Sequence, residues 1–484
     1  MTDTHFDLRA SAREEMIREG FDPDFPAGVQ EQIQALRTRA GAAHANGIRE
    51  LRDRLWSSID NDSSRDLDQI EVAERVDGGI RVLVGIADVD EDVAIDSPID
   101  QHAASQTTTV YTPVRIFPML PEELSTDMTS LNTDQDRLAV VIEIVIGGDG
   151  SITSSSVYRA VVRNRFQLTY GAVGPWLENS GPAPGSVAGS AELQEQLKLQ
   201  DEAALQLRAQ RNRLGALHFD RVEAQPVIVN DQVRDVAAVR KNRASDLIED
   251  FMIAANEVMA RTLLERGRSS IRRVVRSPER WPRIVELAAR YGVSLPAEPD
   301  SVALGAFLEE RRQKDPVHYA DLSLAIVKLM GPGEYVLSKP GGPTEGHFGL
   351  AAHDYTHSTA PNRRFADLVT QRLMKAALAD SAAPYSDEEL DRIAKNCTLK
   401  ENAARKLERT MQKRAAAVAF QNRAGEWFQA VVTGVTPKGV FVRVLNPPVE
   451  GRLMKGESGV DVGDQVRVKL LSTDPERGYI DFGR

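Results

Sequence analysis

The sequence predicts an α+β fold that ends in a small β-barrel. Three observations carry this. β-Branched runs concentrate between about residues 51 and 165, helix-forming stretches dominate from about 192 to 425, and roughly the last sixty residues break into five short β segments. Strands and helices that are segregated along a chain, rather than alternating, point to α+β packing. Five strands in about sixty residues fit a small OB-type barrel, a fold that commonly takes oligonucleotides on one face.

Residues 1–50 read as short helices, one over Ser11 to Glu19 and one over Ala27 to Ala40 with Val29, Ile33 and Leu36 at helical spacing. Gly20, Pro23 and Pro26 separate them. The segment is too short for a large core and is expected to pack on the β-rich region C-terminal to it. Ile80 to Val89 reads as a buried strand, and Leu138 to Ile146 and Ser156 to Val162 as two more. The Gly147-Gly148-Asp149-Gly150 cluster between the last two suits a hairpin turn. Pro113, Pro118 and Pro121 mark an irregular connection, and 178–190 an exposed loop. Helices are expected over Glu192 to Leu214, Leu247 to Glu265, and near 281–291, 302–313 and 319–330. Loop sequence fills 331–349, then Phe365 to Ala379 and Asp387 to about Gly425 are helical. The five terminal β segments are Ala430 to Val435, Val440 to Val444, Val449 to Leu453, Gln465 to Leu471 and Tyr479 to Phe482.

Of the 484 residues, 42% are hydrophobic and 27% charged, which excludes wholesale disorder. No run of about 18 apolar residues occurs, so no membrane span is expected. Met1 to Asp7 lacks the basic-then-apolar pattern of a secretory signal, and the single cysteine, Cys397, allows no internal disulfide. Together these point to the cytoplasm. The net charge of −11 argues against a uniformly basic nucleic-acid binder. Arginines nonetheless crowd Arg261 to Arg283, and a second basic patch comprises Arg405, Lys406, Arg409, Lys413 and Arg414.

The stretch Ser58 to Glu71 holds Asp60, Asp66 and Asp68, interrupted by apolar Ile59, Leu67 and Ile70. Read locally it is either a solvated acidic loop or a set of carboxylates anchored in a core and converging on a hard cation.

Motifs along the chain resemble those of the ribonuclease II (RNB) family of 3′-to-5′ exoribonucleases. The family's Asp-x5-Asp-x-Asp-Asp signature stands here as Asp60, Asp66, Asp68 and Gln69. Further matches are Ile86 to Val89, Val110 to Pro113, Phe117 to Ser125, Ser130-Leu131, Leu168 to Tyr170, Ile248 to Asn256, and Tyr355 to Phe365. The C-terminal segment is similar to the S-one-type RNA-binding barrel of these enzymes. The resemblance implies an RNB catalytic domain, with a mixed β-sheet core surrounded by helices and trailing helices, over 51–424. The helical region 1–50 would precede it and the barrel 425–484 would come after it.

It also implies roles. Asp60, Asp66, Asp68 and Gln69 would hold Mg²⁺, with Mn²⁺ as a substitute, and Asp68 and Arg363 would be catalytic. Tyr111, Tyr170, Phe219, Glu249 and Arg364 would contact RNA, Tyr111 and Phe219 by stacking and Glu249 at the terminal ribose. The implied activity is hydrolysis of single-stranded RNA to 5′-nucleoside monophosphates by a monomer. A non-catalytic single-stranded RNA-binding protein that retains the fold is the alternative. Three departures stand out. The helical first 50 residues do not encode the family's two cold-shock barrels, Gln106 stands where the family often has Arg, and Gln69 replaces an aspartate. A neutral amide oxygen is a poorer ligand for a hard cation than a carboxylate, so one metal is expected to bind weakly without substrate phosphate. His347, His353 and His357 lack a clean zinc spacing and read as structural or RNA-contacting.

Overall fold

The computed structural model describes residues 6–39, 47–220, 222–229, 232–316, 318–343 and 345–484. At its centre is a six-stranded mixed sheet. Ile152–Thr169 is the pivotal strand, because its 18 residues serve two neighbours. Its first part pairs antiparallel with Asp136–Ile146, and its last part pairs parallel with Trp56–Asp60. Gln69–Val76 and Gly79–Ala87 complete the circuit, so the pairing returns on itself. This strand is much longer than the Ser156 to Val162 run that the sequence suggests. Its polar residues Thr153 to Ser156 hide it from a search for apolar alternation. The predicted turn is present, with Gly150 at φ +83°, and a Cβ there would meet the Gln206 carbonyl oxygen at 2.0 Å.

The Arg243–Glu265 helix packs against this sheet. It begins four residues earlier than the apolar pattern indicates, because Asn242 and Ser245 form a reciprocal capping box. Leu247, Phe251, Ala254, Val258 and Met259 are buried in the main core with Ile59, Ile70, Val84 and Ile142. The 34-residue helix Asp387–Phe420, also started by a capping box at Ser386, connects three parts of the molecule. Leu8, Ala12 and Met16 of the first helix, Leu8–Arg18, pack on its Leu407, Met411 and Ala415. Its end enters the barrel core, where the Phe420 ring lies 5.4 Å from Phe428.

The barrel is closed and five-stranded, with strands Trp427–Thr436, Gly439–Val444, Glu450–Lys455, Gln465–Asp474 and Tyr479–Gly483. Among the described residues, no helix is long and apolar enough to cross a membrane.

Three expectations need correction. The 331–349 segment is not all loop: Glu334–Ser338 pairs with Ser270–Val274. The Arg261 to Arg283 run is not an open basic face, since Arg272 and Arg273 are buried and pair with Asp354 and Glu401. Within 178–190, Gly185–Ala188 is a short helix whose Val187 joins the main core. The hairpin Val222–Val229/Gln232–Arg240 is not anticipated by the sequence pattern.

Candidate active site

Asp60 ends its strand, and Gln69 begins the neighbouring one. The intervening loop turns back because Asp60 Oδ1 accepts from the Asn61 amide at 2.7 Å and the Ser64 hydroxyl at 2.9 Å. Leu67 is buried and donates its amide to the Ser130 hydroxyl at 3.0 Å, which anchors the loop just before Asp68. The acidic stretch is therefore anchored in the core at both ends, at Asp60 and from Leu67 on, while Asn61 to Ser63 and Arg65 between them are exposed.

Asp68 is fully buried and bound by residues almost three hundred positions away. Its Oδ1 accepts from the Asn362 amide at 3.1 Å and its Oδ2 from Arg363 Nε at 2.7 Å. Such charge-assisted bonds are the strong class and fix both partners. Asp66 Oδ2 lies 3.8 Å from the same Arg363 nitrogen. Burial pushes the Asp68 carboxyl up to about 6, although Arg363 opposes this, and it raises Asp66 as well.

The loop carrying Arg363 is held from several sides. Asn256 Oδ1 accepts from both the amide and the hydroxyl of Ser358, each at 2.8 Å. Buried Asp367 accepts from the Ala360 amide and from Arg364, which grips it with two nitrogens at 2.7 and 2.8 Å. The Thr109 amide donates to the Arg363 carbonyl at 2.9 Å and the Phe365 amide to the Thr107 carbonyl at 2.8 Å. That pairing sets Arg363 beside the Tyr111 hydroxyl.

A cavity of about 650 Å³ is lined by Asp60, Gln69, Tyr111, Tyr170, Glu249, Arg363 and Arg364, among others. Sequence positions spread from 60 to 364 thus meet on one wall system. Phe219 is not part of it. It lies in an adjoining cavity of about 680 Å³ that shares Lys241, Glu249, Leu350 and Arg405 with the first. Asp66 faces a third cavity, of about 810 Å³, bounded also by His102, Gln106 and Arg115.

Gln106 has a use of its own: its side-chain oxygen accepts from the Asp22 amide at 3.0 Å, tying the N-terminal segment to this wall. Glu249 is ion-paired with Lys241. His357 is half-buried on the wall of the main cavity, with its Nδ1 2.8 Å from the Tyr335 hydroxyl, and desolvation and nearby Arg364 keep its pKa well below the usual value. His347 is likewise pushed down, to about 4. Both therefore favour the neutral form, and both line cavity walls, His357 in the main cavity and His347 in the adjoining one.

The donors around Asp60 are all oxygen, which fits a hard divalent cation rather than a softer metal. Among the described residues, no three His, Cys, Asp or Glu side chains converge as they stand on one metal position. Arg363 instead supplies the positive charge beside Asp66 and Asp68.

Sequence reasoning missed Asn362, Asp367 and Lys241 as parts of this site, and it left Glu71 unassigned. Asn362 and Asp367 act through a backbone amide and through a loop, which leaves no spacing signature. Glu71 was visible as an acidic residue inside a buried strand.

Comparisons with known proteins place the chain in a family and a fold. The RNB domain pattern matches residues 48–380, and that of the RNase II-type exonuclease C-terminal S1 domain matches 426–484. Ribonuclease R 1 of Lactococcus lactis is 29% identical over 493 residues, covering 95% of this chain and 59% of its own length. Ribonuclease R of Thermotoga maritima is 29% identical, with 95% and 68% covered. The chain thus spans only about 59% of the first of these relatives. The structure of Mycoplasma genitalium RNase R in complex with ribose methylated single-stranded RNA superposes with a TM-score of 0.88, at 23% identity, over 99% of this chain and 78% of that one. Yeast Ssd1, a pseudonuclease, shares the fold with a TM-score of 0.71 at 16% identity, over 92% and 56%. With the acidic strand-loop, the arginine loop and the terminal barrel all in the matched segments, the chain belongs to the RNB domain family.

Proposed function

We propose that this chain is a metal-dependent 3′-to-5′ exoribonuclease that hydrolyses single-stranded RNA to 5′-nucleoside monophosphates, in RNA degradation or processing. The observation that carries the reading is the 2.7 Å contact of Arg363 with buried Asp68, beside the cavity that Tyr111, Tyr170 and Glu249 also line. A pure binder needs stacking faces and positive charge, but it has no use for buried carboxylates aligned with an arginine.

Phosphodiester hydrolysis needs a more basic water and a neutralised developing charge. Mg²⁺ or Mn²⁺, held by oxygens of Asp60, Asp66, Asp68 and Gln69, would supply both when bound. Arg363, oriented through its Nε by Asp68, offers its remaining guanidinium edge to a phosphate oxygen, where charge builds as the bond breaks. Tyr111 and Tyr170 offer ring faces at which each stacked base gains roughly 1–3 kcal/mol without regard to sequence. Glu249 can accept from a ribose 2′-hydroxyl, a group that DNA lacks. Phe219 meets the strand from the adjoining cavity. Arg364, committed to Asp367, keeps the loop in shape and contacts RNA at most through its outer edge.

The same reading divides the chain into a helical segment 1–50, a catalytic domain 51–424 and an RNA-binding barrel 425–484, acting as a cytoplasmic monomer. Incubation of 5′-labelled single-stranded RNA with the protein tests it. Progressive shortening in Mg²⁺, abolished by chelator and by Asp68→Asn, is the expected result. Intact RNA that the protein nevertheless retains would establish the non-catalytic binder instead.

A further inference from the structure

Glu71 lies two residues beyond Gln69 on the same strand, so the pleat places both side chains on one face. It is 0% exposed, and neither of its carboxylate oxygens has a hydrogen-bond partner among the described residues. The Ser57 hydroxyl, on the residue directly across the strand pair, is also buried without a partner among them. Among the described residues no arginine, lysine or histidine acts on Glu71, and the charged group that does is Asp60. Other buried carboxylates behave differently. Asp68 has Arg363 and the Asn362 amide, Asp250 has Arg208 and Arg211, and Asp367 has Arg364 and the Ala360 amide.

An isolated buried carboxylate is strongly disfavoured unless something positive or a donor meets it. Here no described side chain provides that partner, at the one place where the acidic motif carries an amide instead of an anion.

We propose that Glu71 supplies the carboxylate that Gln69 does not, as a ligand for a divalent cation held with Asp60. This rests on the metal-dependent reading of the site and extends it to a residue outside the four-position motif. The charge has moved two residues along the same strand face, to a deeper position. The amide of Gln69 then serves as a neutral ligand, and the total anionic charge around the cation is conserved.

Binding of Mn²⁺ alone to the full chain, monitored by the loss of the free-ion electron paramagnetic resonance signal, tests this without reference to turnover. Native protein, Glu71→Gln, and the double variant Glu71→Gln/Gln69→Asp are compared, with melting temperatures in chelator as a check on folding. Glu71→Gln is expected to weaken Mn²⁺ binding at least tenfold while melting no lower in chelator, since the amide matches the shape of the carboxyl and no hydrogen bond among the described residues is lost. The double variant is expected to recover native affinity, which a merely structural role would not produce. If Glu71→Gln does not fold, Glu71→Val, a residue suited to a buried strand, replaces it in both variants. Equal Mn²⁺ affinity with and without Glu71, or no recovery with Asp at 69, overturns the assignment: Glu71 would then be a neutral buried acid. Native protein that binds no Mn²⁺ would instead overturn the metal-dependent reading itself.

Discussion

Arg363 is set in place by Asp68 through Nε and by backbone pairing with Thr109, and its neighbour Arg364 is spent on Asp367. Adjacent arginines thus have separate tasks. Removal of Arg363 (Arg363→Ala) is expected to lower kcat by about 10²–10³ with a smaller change in KM, because in the proposed mechanism its main contact forms with charge that develops in the transition state. Arg363→Lys is expected to recover little, since a point charge cannot reproduce the planar fork. Steady-state kinetics on a short RNA check this, and a loss confined to KM would assign Arg363 to ground-state binding. At this scale much of the site was legible: Asp60, Gln69, Tyr111, Tyr170, Glu249 and Arg363 do line one cavity. Phe219 lies one cavity away, because the Gly215 turn and the Ser301–Lys314 helix hold its segment against the 281–330 helices. Asn362 left no signal because it acts through a backbone amide, which any residue but proline supplies.

The Arg243–Glu265 helix carries both function and stability. Glu249 faces the cavities, while Asn256 ties down the 358–364 loop. Burial also pushes Glu257 of this helix up to about 6, although Arg211 and Arg261 oppose the shift. The folded chain therefore holds a proton on Glu257 over a range where the unfolded chain, at an ordinary value of about 4.3, has released it. Stability from this group is present at low pH and is lost as pH rises from about 4.3 through 6, by about 2 kcal/mol in all. Urea denaturation at pH 4.5 and 7 should show Glu257→Gln losing less stability than the native chain over that interval. An identical loss in both would contradict the shift. Helices were the most legible elements, since caps and apolar spacing are local. The Ser270–Val274/Glu334–Ser338 pair was not, because Arg272 and Arg273 look like surface charge until Asp354 and Glu401 are brought to them by the fold.

The whole molecule is arranged around a sheet that closes through one long strand, with the acidic loop and the arginine loop joined at its edge. The Asp387–Phe420 helix links the N-terminal segment to the barrel, so the parts that flank the site share one axis. The barrel was legible from its short strands and turns. The closure of the central sheet was not, because it depends on the last part of Ile152–Thr169 pairing in parallel with Trp56–Asp60, about a hundred residues away. The most direct test of the central claim uses single-stranded RNA labelled at the phosphate of its 3′-terminal nucleotide. With Mg²⁺ the native chain should release the label as a 5′-mononucleotide from the earliest time points, and Asp68→Asn and Arg363→Ala should not. Label that stays in the RNA, or leaves first in fragments cut from the interior, would contradict the account.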